Sequence, residues 1–258
     1  MLSLLVVISP IFPEPVLKID CEERKESFLV VSDLHLGFIS KYHKKGVFIN
    51  YKEYQTEMMD KIISIGKKNN CSNLIILGDL KDSIGYPNKE ERFIVPDFLK
   101  NISSSFDVYF VPGNHDGSVL NIIPESVVTY SSSGMLLEDC ILHHGHVMPK
   151  KVPSSIKKMV MGHVHPIFNK SHSLIHGERI WIFMKVDKEK VFGNKNSLLS
   201  IMIIPTYNKI YYSNSLSSNK KSISPLINKI LKEDAIIQSF IFTLDGDIVG
   251  DISDLNLR

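Results

Sequence analysis

Short apolar runs recur along the first two thirds of the chain, and each is followed by polar side chains that could bind a ligand. Three of these runs have the pattern of buried strands, at residues 28–33, 73–77 and 107–110. Apolar side chains repeat at helical spacing within residues 51–67, so a helix is predicted there. A second helix, interrupted by a proline, is predicted at 89–101. This alternation of strand and helix predicts an α/β fold.

Beyond residue 120 the alternation fades and short strands dominate. We expect antiparallel strands at 127–130, 134–137 and 140–142, and further strands at 180–186, 198–205 and 239–244. A turn at 245–246 should lead into a strand at 247–250. Three smaller features are also predicted: a short helix at 154–158, an edge strand within 1–9 and a polar surface loop at 213–224. Neither a repeat nor a linker divides the sequence, so residues 1–258 are predicted to form one domain.

Composition narrows the class of protein. The 258 residues are 43% hydrophobic and 22% charged, with a net charge of +2, which is ordinary for a globular protein and does not require a nucleic-acid partner. Cys21, Cys71 and Cys140 are scattered, so we expect neither a disulfide framework nor a structural zinc site, and a reduced, cytoplasmic setting fits. The apolar N-terminal run lacks a basic flank and is cut by prolines, which argues against a signal peptide or a membrane anchor.

Candidate chemistry is concentrated in five short clusters, each placed directly after an apolar run. Together they hold seven of the ten histidines. The clusters are Asp33 with His35, Asp79 with Asp82, Asn114 with His115, then His143, His144 and His146, and finally His163 with His165. A single cluster could be an ordinary turn, but buried imidazoles and carboxylates are costly unless they are paired or bound to metal. With no cysteine among them, a shared site for manganese, iron or zinc is the simplest explanation.

The order of the clusters resembles the calcineurin-like metallophosphoesterase family over residues 28–166. The motifs are Asp33-x-His35, Gly78-Asp79-x-x-Asp82, Gly113-Asn114-His115-Asp116, His144-Gly145-His146 and Gly162-His163-x-His165. The sequences Asp33-Leu34-His35-Leu36-Gly37 and Gly78-Asp79-Leu80-Lys81 are similar to those of the branch related to the SbcD nuclease subunit. The resemblance implies two facing mixed β-sheets flanked by helices in four layers, with a metal site at one edge between the sheets.

The resemblance also implies roles for individual residues. Two divalent ions, most simply manganese, with iron or zinc as alternatives, would share the bridging carboxylate of Asp79. One ion would be held by Asp33, His35 and His165, and the other by Asn114, His144 and His163. His115 would face the phosphate and act on the transition state or the leaving oxygen. Asp82 would orient His115.

These assignments imply a phosphoesterase, most simply one that hydrolyses phosphodiesters by attack of a metal-bridging hydroxide. The substrate could be nucleic acid, a small nucleotide or a cyclic phosphodiester. The residues after the last motif are expected to complete the sheets, which leaves little room for a separate DNA-binding domain. A phosphomonoesterase and a non-catalytic metal-binding scaffold remain alternatives. No membrane association is expected.

Several residues outside the main motifs have two interpretations. Five lysines could form a basic rim that attracts phosphate groups, or they could simply be solvated surface residues. They are Lys41, Lys44, Lys45, Lys150 and Lys151. Surface or core positions are expected for His43, His172 and His176. His143 and His146 could support the metal ligands or simply pack, and Trp181 is expected in the core.

Overall fold

The computed structural model describes residues 6–39, 46, 49–149, 152–170, 172–194, 197–215 and 224–255. One mixed sheet has six strands in the order of the chain. They are β1 (Val7–Pro10), β2 (Leu17–Cys21), β3 (Glu26–Val31), β4 (Asn73–Leu77), β5 (Asp107–Val111) and β6 (Val127–Thr129). The first three strands pair antiparallel, and β3 to β6 pair parallel.

The second mixed sheet has seven strands. In chain order they are β7 (Met135–Leu137), β8 (Cys140–Leu142), β9 (Lys158–Met161), β10 (Ile180–Asp187), β11 (Leu198–Ile203), β12 (Ile236–Thr243) and β13 (Ile248–Gly250). Their order in space is β13-β12-β10-β11-β9-β8-β7. The central strands β8, β9 and β11 run parallel, and the outer pairs run antiparallel.

Helices cover the outer faces of the two sheets. The described helices are α1 (Tyr51–Lys68), α2 (Glu91–Ile102), α3 (Lys188–Phe192), α4 (Lys209–Ser215) and α5 (Pro225–Lys232), with short 3₁₀ turns at Val119–Ile122 and Ile252–Asp254. Helix α1 begins at Asn50, whose side chain accepts a hydrogen bond from the Glu53 amide at 3.3 Å and so caps the first turn. Among the residues that the structure describes, no helix is both long and apolar enough to cross a bilayer.

Three apolar clusters account for the layers. One packs α1 and α2 on the outer face of the first sheet, and a second packs α3 and α5 on the outer face of the second sheet. The third lies between the sheets and joins Val30 and Leu77 to Leu142, Val160 and the fully buried Trp181. The prediction of two facing mixed sheets flanked by helices is confirmed, as is the core position of Trp181.

Some local predictions were wrong. Strand β6 runs parallel to β5, not antiparallel to its neighbours, because a crossover through the 3₁₀ turn at Val119–Ile122 brings it back in the same direction. Residues 154–158 form a turn and the start of β9 instead of a helix, since the amides of Lys157 and Lys158 donate to the Asp139 carbonyl. Beyond residue 179 the expected strands are present as β10 to β13, but three helices that were not predicted, α3, α4 and α5, lie between them. Helix α4 occupies the start of the predicted loop at 213–224, and residues 216–223 lie outside the described part of the chain.

Candidate metal centre

The loop after β3 supplies Asp33 and His35, both fully buried. Each has a positive φ, 61° and 43°, a conformation that costs an L-residue on the order of 1–2 kcal/mol. Such cost is typically found where function fixes the backbone. The Asp33 carboxylate accepts a hydrogen bond from Ser32 Oγ at 2.7 Å, and His165 Nε2 lies 2.9 Å from its other oxygen. The loop therefore presents a carboxylate and an imidazole towards the second sheet.

The loop after β4 supplies Asp79, whose two oxygens face different histidines. Oδ2 lies 3.7 Å from His35 Nε2, and Oδ1 lies 3.3 Å from His144 Nε2. The His115 amide also donates to Oδ1 at 2.9 Å. Asp79 is 1% exposed and has a φ of 50°. Its side chain is thus placed between the groups contributed by the two sheets.

The second sheet contributes His144 after β8 and His163 and His165 after β9. His144 Nδ1–H donates to the Leu77 carbonyl at 2.9 Å, which directs Nε2 at the centre. A second hydrogen bond of this kind is how proteins fix the orientation of a metal-binding histidine. His163 and His165 also have positive φ values, 67° and 46°. The left-handed conformation therefore recurs in three separate loops of one site.

Three glycines allow these loops to approach one another. A Cβ atom at Gly78 would lie 2.0 Å from His144 Nδ1, and one at Gly113 would lie 2.2 Å from Asp79 Oδ1. A Cβ atom at Gly162 would lie 1.9 Å from Ser32 Oγ. All three distances are far below van der Waals contact, so a larger residue would push the polar groups apart.

Asn114 and His115 follow β5 at the same edge of the sheet. Asn114 Oδ1 is buried and has no hydrogen-bond partner among the described residues. The Nδ1–H of His115 donates to the backbone carbonyl of Asp82. The contact between His115 and Asp82, the residue predicted to orient it, thus comes from the main chain of Asp82. The Asp82 carboxylate faces His35 instead, with Oδ1 4.0 Å from Nδ1.

Two buried charges that were not among the predicted site residues hold these loops together. The Asp116 carboxylate accepts hydrogen bonds from the amides of Gly113 at 2.7 Å and Leu80 at 3.0 Å, and so joins the loops after β4 and β5. Burial, with the nearby charge of Asp79, raises the pKa of Asp116 to about 6. The fully buried Lys81 donates to the carbonyls of Ser83, Gly85 and His115. Asp116 stands in the motif itself, but nothing in the pattern distinguishes Lys81 from a surface lysine.

A third missed residue is Tyr211, on α4. Its ring stacks on the His35 imidazole, with centroids 3.5 Å apart and planes 8° from parallel. Burial, with the charges of Asp79 and Asp82, raises the pKa of Tyr211, so the phenol stays neutral. No sequence pattern links residues so far apart in the chain.

The electrostatics of the centre couple its carboxylates to its histidines. Burial alone would raise the pKa of Asp79, but His144 and His35 outweigh it and hold that pKa well below the usual value. The carboxylates raise the pKa of His144 to about 9 against the effect of burial. Burial lowers the pKa of His35 and, to about 3, that of His163. A cation could replace the proton on His144 as the counter-charge of the carboxylates.

The predicted residues are brought together in three overlapping groups, within each of which the candidate ligand atoms lie within 4.8 Å of one another. The groups are Asp33, His35, Asp79 and His165; Asp79, His144 and His163; and His35, Asp82 and His115. Both ring nitrogens of His35 and Nε2 of His144 are buried and have no hydrogen-bond partner among the described residues. Such atoms are costly in the absence of a ligand. Oxygen and imidazole donors without a thiolate therefore fit a hard or borderline divalent cation.

The remaining histidines and lysines play smaller parts. His143 is fully buried, with neither ring nitrogen hydrogen-bonded within the described structure, and burial lowers its pKa to about 4. His146 packs near His144, with ring centroids 5.4 Å apart. His172 and His176 are exposed, as expected for surface histidines. His43 and the five lysines of the predicted basic rim lie outside the described residues.

Comparison with known proteins gives one family. The family model described as calcineurin-like phosphoesterase matches residues 27–238. The DNA polymerase II small subunits of Pyrococcus horikoshii and Pyrococcus furiosus are 30% and 29% identical over 112 residues. Each match covers 37% of this chain and 17% of the relative, so this chain spans less than a fifth of these proteins.

Among solved structures, the fold is similar to that of the Pseudomonas putida nuclease MPE. The two chains superpose with a TM-score of 0.50 at 18% identity, over 93% of this chain and 98% of the other. At that identity the likeness shows the shared arrangement of sheets and helices.

Proposed function

The chain belongs to the calcineurin-like phosphoesterase family of hydrolases that act on phosphate esters, and from that premise we propose that it hydrolyses phosphodiesters at a centre of two divalent cations. The observation that carries the proposal is the position of Asp79, with one oxygen 3.7 Å from His35 and the other 3.3 Å from His144. One carboxylate can therefore serve two ions. We further propose that the two face-to-face sheets form one domain around this centre.

The ligands would divide by position around Asp79. Asp33, His35 and His165 lie on one side of it. His144 and His163 form the group on the other side, and the buried amide oxygen of Asn114 supports its assignment to that second ion. Manganese suits this mixture of oxygen and nitrogen donors best, with iron and zinc as alternatives. A pair of divalent cations supplies an acidified water and neutralises the charge of the phosphate.

His115 is proposed as the residue that acts on the substrate. Because a carbonyl can only accept, the contact with Asp82 keeps a proton on Nδ1 of His115 in both of its charge states. The ring nitrogen left to act on the substrate is therefore Nε2. When His115 is protonated, Nε2–H can donate to a phosphate oxygen or to the leaving oxygen. Asp82 contributes to this step by orienting the ring.

Nucleic acid is the first substrate class to test. The names of the similar proteins, a nuclease and DNA polymerase small subunits, suggest it. Two aromatic side chains, Tyr86 and Phe93, are 77% and 72% exposed. Phe93 lies in the first turn of α2, where Glu91 accepts a hydrogen bond from the Ser83 amide in the loop of Tyr86. The loop of Tyr86 is tied to His115 through Lys81, which donates to both Gly85 and His115. Exposed rings at such a position can stack on unpaired bases.

Hydrolysis of model esters tests the proposal. We expect manganese-dependent hydrolysis of bis-p-nitrophenyl phosphate, lost in Asp79→Asn and reduced about 10²–10⁴-fold in His115→Ala. The exposed His176 provides a matched control, and His176→Ala should keep full activity. Hydrolysis of p-nitrophenyl phosphate alone would favour a phosphomonoesterase. Absence of both activities in a protein that binds metal would favour a non-catalytic scaffold.

Substrate class can then be separated with natural diesters. We expect cleavage of single-stranded oligonucleotides, with a higher KM in Tyr86→Ala and in Phe93→Ala than in the wild type. The fully exposed Leu174 gives the control Leu174→Ala. Cleavage of small cyclic dinucleotides but not of oligonucleotides would contradict the nucleic-acid assignment and leave the phosphodiesterase proposal intact.

A further inference from the structure

Helix α4 places one aromatic ring against both histidines of the first cation group. Tyr211 lies flat on His35, with ring centroids 3.5 Å apart and planes at 8°. The Tyr211 ring also lies edge-to-face with the His165 ring, with centroids 5.3 Å apart and planes at 88°. The Phe38 ring packs edge-on against Tyr211, with ring centroids 4.8 Å apart. The phenol therefore lies between Phe38 and one face of His35.

His35 and His144 are held in different ways. His144 is fixed by the hydrogen bond from Nδ1 to the Leu77 carbonyl at 2.9 Å. Both ring nitrogens of His35 are buried, and neither has a hydrogen-bond partner among the described residues. A metal-binding histidine normally has its ring plane set by such a bond. For His35 the flat stack against Tyr211 supplies that constraint.

The position of Tyr211 is itself built into the fold by Asn208. Asn208 Oδ1 accepts hydrogen bonds from the amides of Ile210 and Tyr211, both at 3.0 Å, and so caps the start of α4. Its Nδ2 donates to the carbonyl of Leu34 at 2.8 Å, between Asp33 and His35. Tyr54 on α1 donates to Oδ1 at 2.9 Å. One buried amide thus fixes the helix of Tyr211 to the loop that carries His35.

We propose that Tyr211 is a positioning residue that sets the ring plane of His35 and thereby strengthens binding of one of the two cations. The proposal rests on the two-cation function above. An imidazole that binds a cation loses electron density, and the face of a phenol is electron-rich, so the stack is stronger in the metal-bound state. The effect should fall on the ion held by His35 and not on the ion held by His144, which has its own hydrogen bond.

Calorimetric titration of the metal-free full chain with Mn²⁺ tests the proposal. Tyr211→Leu removes the aromatic face, and Tyr211→Phe keeps the face and removes the hydroxyl. Tyr212→Leu is the matched control, because the Tyr212 ring lies beside Arg179, 5.6 Å from its guanidinium carbon. We expect Tyr211→Leu to weaken one ion about 10-fold, within the range known for residues that orient metal ligands. The second ion should bind with wild-type affinity, and both Tyr211→Phe and Tyr212→Leu should bind both ions normally.

Three results would overturn the proposal: wild-type affinity for both ions in Tyr211→Leu, equal weakening of both ions, or the same loss in Tyr211→Phe. Thermal melts in EDTA check that each variant folds, and Tyr211→Met replaces Tyr211→Leu if the latter does not. If the wild type binds fewer than two ions, the two-cation function fails separately. The positioning role is then read from the ¹⁵N–¹H signals of the His35 ring in the metal-free protein. Tyr211→Leu should broaden those signals and Tyr211→Phe should not; unchanged signals in Tyr211→Leu would contradict the proposal.

Discussion

Substitution of Gly78 by alanine should disable the metal centre without replacing any of the proposed ligands. Gly78 has a φ of +79°, and a Cβ atom there would lie 2.0 Å from His144 Nδ1. The van der Waals contact distance between a carbon and a ring nitrogen is about 3.5 Å. Either the ring or the backbone must therefore move by roughly 1.5 Å. That movement would break the hydrogen bond from His144 to the Leu77 carbonyl, now 2.9 Å long.

The expected size of the effect follows from the geometry. Losing a hydrogen bond that orients a metal ligand typically costs about 10–100-fold in metal affinity. A misplacement of about 1 Å costs on the order of 10²-fold in rate. The left-handed conformation adds a stability cost of about 1–2 kcal/mol for any alanine. Gly78→Ala should therefore lose metal affinity, activity and stability together.

Gly193 offers a matched control. Its φ is +75°, nearly the same as that of Gly78, but a Cβ atom there would meet nothing within 4 Å. Gly193→Ala should lose about 1–2 kcal/mol in urea unfolding and keep wild-type Mn²⁺ affinity by calorimetry. The reasoning would be refuted if Gly78→Ala bound Mn²⁺ as tightly as the wild type and lost no more stability than Gly193→Ala.

Three further predictions concern stability. Removal of cations by EDTA should lower the Tm by about 10–20 °C if both ions are present near 100-fold above their Kd, and Asp79→Asn should be insensitive to EDTA; equal melting shifts would contradict this. Lys81→Met should lower the free energy of unfolding, measured in urea, by about 3 kcal/mol, because three backbone carbonyls lose their donor. A loss under about 1 kcal/mol would instead show that water replaces the ammonium group. Burial lowers the pKa of His143 to about 4 from 6.5, so the unfolded state takes up a proton first as the pH falls below 6.5, and stability is lost between there and pH 4. On going from pH 7.5 to 5.5 the wild type should therefore lose about 1.4 kcal/mol more of its unfolding free energy than His143→Leu does. Urea unfolding at both pH values measures this difference, and equal losses in the two proteins would contradict the assignment.

The sequence was sufficient for the features that depend on local pattern. A buried strand needs a continuous apolar run, so β3, β4 and β5 could be located, and the polar residues after them could be assigned to one edge of the sheet. The five-part order of the motifs added the family, which the match over residues 27–238 then showed. The prediction of two facing mixed sheets followed from that resemblance.

What the sequence could not show depends on contacts between distant segments. The stack of Tyr211 on His35 arises because Asn208 fixes α4 to the loop after β3, and no periodicity marks it. Lys81 has the chemistry of a surface residue and is buried only because three carbonyls converge on it. The orientation of His115 depends on a backbone carbonyl, which any residue at position 82 could provide.

The central claim is that two cations share the carboxylate of Asp79. Anomalous diffraction from crystals of the protein grown with Mn²⁺ tests it most directly. We expect two anomalous peaks about 3.5–4 Å apart, one beside His35 and His165 and the other beside His144 and His163. The carboxylate of Asp79 should contact both. A single peak, or peaks that lie away from Asp79, would contradict it.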